Sequence, residues 1–211
     1  MIVPALSRRR ILQIATAAAA VIPLLPAEEA QAAILQTRAT MEAWADTMVP
    51  GERRYAGDKV VLGATPGPGA VQAGAWKLYN DPDVGLGPLL PALAALIDTE
   101  AITYAAGHGK VVLGFVELTF KERTAVAQKL LGGPPGPVQL VWYALAAMPI
   151  LAFHTAGHLD TATAVRDGHP GLTWLGFPQP DDDGIWRFPD FSYRRALART
   201  HPRTTATGHP A

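Results

Sequence analysis

Proline and glycine constrain this chain more than any other feature. There are 19 prolines and 20 glycines among 211 residues, and they cluster at 50–51, 66–69, 82–88 and 132–137. Proline removes a backbone donor and glycine weakens helix interiors, so each cluster is a break. Regular structure must fit between the breaks.

The segments between breaks read as helices. Leu35 to Met48 (LQTRATMEAWADTM) sets Leu35, Ala39, Met41, Trp44, Ala45 and Met48 at three- and four-residue spacing, giving one apolar helical face that ends at Pro50-Gly51. Pro68 is placed to open a helix running through Ala70 to Tyr79. Pro88 to Ala106 is a strong helix closed by Gly107. Thr119, with Glu122 three positions on, forms a capping box for a helix over Phe120–Leu131. Val138 to Ala156 is apolar almost all round, which predicts a central buried helix; Pro149 inside it removes the bond to the Leu145 carbonyl and bends it.

Two short stretches, Lys59–Leu62 and Lys110–Leu118, are β-branched enough to be extended but have no evident strand partner. The fold class is therefore all-α, an irregular bundle with long Pro/Gly-rich loops. A single helical domain is expected over residues 33–200, with a loose tail over 201–211. Between Trp174 and Tyr193 the chain changes character: Trp174, Phe177, Trp186, Phe188 and Phe191 are interleaved with prolines and Asp181-Asp182-Asp183-Gly184. This aromatic segment is too interrupted for a long helix, and its rings must pack either on the bundle or on a partner.

The first 32 residues read as an export signal. Ser7-Arg8-Arg9-Arg10 is followed by an apolar run from Ile11 to Leu25 and by Ala30-Gln31-Ala32. A basic head, an apolar stretch and small residues around a cut are the parts of such a signal. Arg8 and Arg9 in Ser-Arg-Arg-x-Ile-Leu resemble the twin-arginine signal, which exports folded proteins. Cleavage is expected after Ala32, with Ala30 and Ala32 the small residues just before the cut. An ordinary secretory signal and a retained anchor are the rival readings. The chain is thus expected outside the cytoplasmic membrane with no stable span after cleavage, since Gln139, Tyr143, Pro149 and His154 interrupt the apolar run of 138–156.

Composition excludes several classes of chemistry. Lys+Arg and Asp+Glu both number 18, so there is no basic surplus for nucleic acid. With no cysteine there is no disulfide, thiolate nucleophile or iron–sulfur ligand. Gly67-Pro68-Gly69-Ala70-Val71-Gln72 lacks the third glycine of a dinucleotide loop and has no Gly-Lys-Ser/Thr after it. The 181–184 acidic turn lacks calcium-loop spacing, and no Gly-x-Ser-x-Gly elbow occurs. His154 and His158, four apart, would share a helix face and could ligate a metal with Asp160 or His169; the alternative is that these histidines cap helices and make hydrogen bonds. His108 reads as a helix-end histidine.

Four stretches carry a family resemblance. Met41–Gly51 (MEAWADTMVPG), Pro66–Gly74 (PGPGAVQAG), Leu118–Arg123 and Trp174–Pro178, following a twin-arginine-like leader, resemble the gluconate 2-dehydrogenase subunit 3 family. The resemblance implies a small subunit without a catalytic site or cofactor of its own. It would escort and stabilise an exported large subunit of the glucose–methanol–choline oxidoreductase type, which holds FAD, and a cytochrome subunit can complete such a complex. On that reading Trp174, Phe177, Trp186, Phe188 and Phe191 are the expected partner contacts. The alternatives are a stand-alone metal enzyme built on His154 and His158 and an exported structural domain.

Overall fold

A computed structural model describes residues 27–179. Arg8, Arg9, Trp186, Phe188 and Phe191 lie outside the described residues. The chain divides into two compact units at Phe177/Pro178, and the described helices all belong to the first. Among the described residues there are seven α-helices and no strand: α1 Ala27–Met48, α2 Ala75–Tyr79, α3 Leu90–Gly107, α4 Phe120–Leu131, α5 Pro137–Thr155, α6 Thr161–Arg166 and α7 Pro170–Trp174. The fold is all-α.

Helix α1 is the hub and packs against α3, α4 and α5. It is buried without interruption from Thr40 to Thr47. Trp44, fully buried, meets Phe115 and Trp142 with ring centroids 6.1 and 6.0 Å away. Such tilted aromatic contacts add to the large apolar area each ring removes from water. The helix begins at Ala27, eight residues before the Leu35 start that periodicity suggests, because Ala27–Ile34 present no apolar stripe. Residues 28–36 are exposed or half-buried, so this first part is helical without packing on the core.

Three sequence expectations are corrected. The helix expected over 70–79 is shortened to α2, because Gly74 adopts a left-handed conformation (φ 86°) and residues 70–74 form turns instead. The stretch Lys110–Leu118 is not a strand. It runs as an irregular loop into a 3₁₀ turn at Phe115–Glu117, whose first amide, that of Phe115, donates to Asp98 Oδ1 at 2.8 Å. Helix α5 is not buried all round. Gln139, Trp142, Leu145, Pro149, Ala152 and Phe153 face the core, whereas Leu140, Tyr143, Ile150 and Leu151 are exposed. Uniform apolarity hides which face a helix buries. Residues 87–107 and 137–155 are long and apolar enough to cross a membrane, and in this fold both helices pack on α1.

The local signals that hold are the ones carried by neighbours in sequence. Helix α4 begins at the expected capping box, with the Glu122 carboxylate accepting from Thr119 N at 3.0 Å and Thr119 Oγ1 at 2.9 Å. Lys110 pairs with the same carboxylate, and together these partners hold the Glu122 pKa down to about 2.

Pro149 leaves the Leu145 carbonyl without its helical donor, as its position predicts. The fully buried Tyr79 hydroxyl from α2 takes that place, donating to Leu145 O at 3.2 Å. This bond joins α2 to α5 one turn before Pro149. Tyr79→Phe is expected to cost about 1–2 kcal/mol in denaturant unfolding, the penalty of a buried acceptor left bare. In a Pro149→Ala background the restored amide can reclaim Leu145 O, so the cost of Tyr79→Phe should shrink. Equal costs in both backgrounds would mean that the hydroxyl and the proline are uncoupled.

Candidate functional site

The residues that stand out in sequence converge on the segment after α1. Asp46, in the last turn of α1 and almost fully buried, accepts from Gly51 N at 3.3 Å and Leu62 N at 3.0 Å, folding residues 51–62 back on the helix. A second loop, 66–70, lies alongside. Ala70 N donates to Val49 O at 3.0 Å and Glu52 N to Gly67 O at 2.7 Å. Gln72 locks the pair, accepting from Gly69 N at 3.0 Å and donating to Glu52 O at 2.7 Å. The backbones touch because both contact residues are glycines: a Cβ on Gly51 would lie 2.3 Å from Gly69 N, and one on Gly69 would lie 2.5 Å from Gly51 N. The glycine-rich loop is therefore a packing device.

Beside it runs an ionic chain whose carboxylates are buried and whose arginines reach the surface. Glu42 accepts from Arg38 Nε at 2.8 Å and from Arg54 at 2.9 Å, and Arg54 grips Asp58 through two nitrogens at 2.7 and 3.1 Å. Burial alone would raise the Asp58 carboxyl, but the Arg54 bonds and the Val61 and Val60 amides outweigh it, so its pKa is lowered. The Arg54 guanidinium is correspondingly raised, first by its bond to Asp58.

Arg123 of α4 closes the arrangement from below. Its side chain is fully buried and donates to the carbonyls of Val60 (2.6 Å), Val116 (2.7 Å) and Lys59. Asp46 Oδ2 lies 3.8 Å away, and the guanidinium carbon sits 5.6 Å from the Phe115 ring centroid. Burial lowers its pKa to about 10 against the pull of Asp46 and Asp58. Burial likewise raises Asp46, partly offset by the Leu62 and Gly51 amides and by Arg123. Arg123 Nε has no hydrogen-bond partner.

Sequence reasoning missed the roles of Arg123, Asp46 and Tyr79. A signal for Arg123 was present: it shares a helical face with Val126 and Ala127, both buried, at the three- and four-residue spacing of a core stripe. A charged residue there has to be satisfied by distant groups.

The last of the resemblance-bearing stretches joins through Trp174. Gly67 is left-handed (φ 80°), and a Cβ there would sit 2.6 Å from Cη2 of the Trp174 indole. Trp174 nevertheless remains 59% exposed, and Phe177 is also exposed. Arg123 and Trp174 thus bring the third and fourth stretches to the paired loops, and the Trp174 side chain is left largely exposed.

The histidines occupy separate roles. Helix α5 ends at Thr155 and Ala156 turns left-handed (φ 50°), so His154 and His158 do not share a helix face as their spacing suggested. His154 is exposed with Nδ1 3.0 Å from Ile150 O. Asp160 caps α6 by accepting from Thr163 N at 2.8 Å, and His169 caps α7 by accepting from Leu172 N at 3.3 Å while its Nε2 donates to Ala73 O at 3.0 Å. His108, at the end of α3, places Nδ1 2.8 Å from Tyr104 O. The His158 ring fills the space that a Gly74 Cβ would need, with Nε2 2.6 Å from that position. Burial lowers the His158 pKa, followed by His169 and Lys77, and its buried Nδ1 has no partner. Among the described residues no group of three or more His, Asp or Glu side chains is placed to hold a metal ion.

An apolar groove of about 490 Å³ lies between α3, α4 and the start of α5. Leu96, Leu130, Pro134, Val138 and Trp142 line it, and the Glu100–Lys129 ion pair borders it.

In comparisons with known proteins, the model of a family described as "Family of unknown function (DUF5987)" matches residues 35–211. No curated protein and no solved structure matches the chain.

Proposed function

Starting from a chain that belongs to this family of unknown function, DUF5987, we propose that it is a small accessory subunit of an exported flavin-dependent oxidoreductase. It takes no chemical step itself; FAD is held by a larger partner of the glucose–methanol–choline type, and a cytochrome subunit can join. The observation that carries this reading is the interlocking of the stretches that resemble gluconate 2-dehydrogenase subunit 3. Met41–Gly51 and Pro66–Gly74 hold each other through backbone hydrogen bonds, Arg123 lies 3.8 Å from Asp46, and the Trp174 indole packs on Gly67 while staying exposed. Large exposed aromatics commonly anchor interfaces. Trp174 and Phe177 are the partner contacts within the described residues.

Export by the twin-arginine route through Arg8 and Arg9 belongs to the same proposal. Of the described residues, cleavage after Ala32 would remove Ala27–Ala32 of α1, upstream of Thr37, the first buried residue among those described. The folded domain would survive the cut.

The test is purification of the tagged protein from its native host, with an absorbance spectrum of the co-eluting material. A flavin spectrum with a second, larger chain is expected. A colourless single chain would sink the escort reading. Replacing Arg8 and Arg9 by lysine should strand both chains in the cytoplasm, and continued export of the flavoprotein would show that this subunit does not carry it.

A further inference from the structure

Two histidines meet the turns at 70–74, and each stands where a second proton has no place. His169, just before α7, is buried, and both of its ring nitrogens have a fixed task. A backbone amide can only donate, so Nδ1 accepts from Leu172 N at 3.3 Å. A carbonyl can only accept, so Nε2 carries the proton and donates to Ala73 O at 3.0 Å. The ring is therefore neutral, with its tautomer set by its partners. A proton on Nδ1 would turn the capping acceptor into a donor facing the Leu172 amide, at the helix end that disfavours positive charge.

His158 reaches the same turns from the connection between α5 and α6. Its ring fills the space over Gly74, its buried Nδ1 has no partner, and its centroid lies 6.0 Å from that of His169. Doubly protonated, it would hold a buried N–H with no acceptor, close to another imidazole.

The surrounding charges do not compensate. Lys77 of α2 and Asp81 beyond it act on His158 with opposite sign, and Asp81 has the smaller effect. At α6, Asp160 is spent on Thr163 N at 2.8 Å, and Asp167 lies 3.9 Å from Arg166. Helix α5 offers only Tyr143 and His154, both exposed. The 70–74 turns and α7 have no titratable side chain. A cleft of about 260 Å³, lined by both rings, Lys77 and Asp167, gives protons a way in.

We propose that His158 and His169 form an acid-released latch. At neutral pH the two rings clamp the connection before α6 and the start of α7 onto the 70–74 turns. On acidification both take protons, α7 loses its cap, and Trp174 at its far end is freed from Gly67. The closed latch binds fewer protons than the open one. It is therefore intact above the ordinary histidine pKa of about 6.5 and weakens as pH falls through that value. His158, whose pKa burial lowers, acts in this direction. The change is local, because Gly171 keeps its backbone contact with the end of α5, where an added Cβ would stand 2.0 Å from Phe153 O. The latch rests on the ring geometry and is independent of the escort proposal.

Amide hydrogen exchange of the purified full-length chain tests it. The Thr173 and Leu175 amides donate to His169 O at 2.9 Å and Gly171 O at 3.0 Å, and so report on α7; amides inside α4 report on the rest of the domain. Each proton taken up on opening changes the equilibrium by up to about tenfold per pH unit. Protection factors of Thr173 and Leu175, corrected for intrinsic exchange, should therefore fall roughly tenfold or more from about pH 7 to about pH 5, while α4 holds. His169→Asn keeps a capping oxygen and a donor but gains no proton, and together with His158→Gln it should make α7 protection independent of pH. A flat profile in the unaltered chain would overturn the proposal, and so would an equal fall in the double variant. An equal fall in α4 would mean global acid unfolding, and unprotected α7 amides at pH 7 would mean no closed latch; either sinks it. Titration of the two rings by NMR needs no variant: protection lost while both stay neutral would also overturn the latch.

Discussion

Arg123→Ala should destabilise the domain by about 3–5 kcal/mol, the cost of breaking a buried charge network by removing one member. Arg123 is fully buried and supplies donors to Lys59, Val60 and Val116, carbonyls that lie outside the α-helices. Its loss leaves those acceptors bare and leaves Asp46 buried with its nearest cation gone. Arg123→Lys should recover only part of the loss, because an ammonium cannot reproduce the planar fork that reaches several carbonyls at once. Arg53→Ala is the control. That side chain is exposed, makes one bond to Leu62 O, and should shift stability by less than about 0.5 kcal/mol. Urea unfolding of the three variants decides the matter, and a loss below about 1 kcal/mol for Arg123→Ala would show that water can replace the fork.

Gly51→Ala or Gly69→Ala should each cost about 3 kcal/mol, the upper end of the overpacking range, because the added methyl meets rigid backbone rather than a side chain that can swing away. At Gly51 the new Cβ would stand 2.3 Å from Gly69 N; at Gly69 it would stand 2.6 Å from Val49 O and 2.7 Å from the Pro50 carbonyl carbon. The loops would have to part, breaking the Ala70–Val49 and Glu52–Gly67 bonds. The two substitutions act on one contact, so the double variant should cost much less than the sum. Gly107→Ala is the contrast: nothing lies within 4 Å of its added Cβ, and alanine favours helix, so stability should hold or rise slightly. Melting temperatures of the four variants provide the check, and an additive double variant would show that the backbones are not held against each other.

Much of the helical framework was legible because its signals are local. The capping box of Thr119 and Glu122, the lost bond at Pro149 and the cap supplied by His169 are interactions among residues within about four positions of one another. A helix terminus is decided by such neighbours, and so are the breaks that proline and glycine impose. Local signals of this kind suffice for the class of fold, for the extents of α3, α4 and α5 to within a residue or two, and for the carbonyl that Pro149 leaves without its helical donor.

What those pieces meet is settled only when the chain folds back on itself. Nothing near Pro149 in sequence shows that a hydroxyl 66 residues from Leu145 will take its carbonyl. The Gly51–Gly69 contact, the Trp174 ring over Gly67 and the carbonyls that gather around Arg123 are likewise products of chain reversal. Helix α5 is the clearest case. Its residues are apolar on every side, so periodicity carries no information about burial, and only the surfaces offered by α1, α2, α4 and α7 select the Trp142–Phe153 face for the core and leave Leu140 and Tyr143 outside. Local geometry follows from interactions a few residues long, whereas the choice of face follows from which apolar surfaces can exclude water together, and that is a property of the assembled bundle.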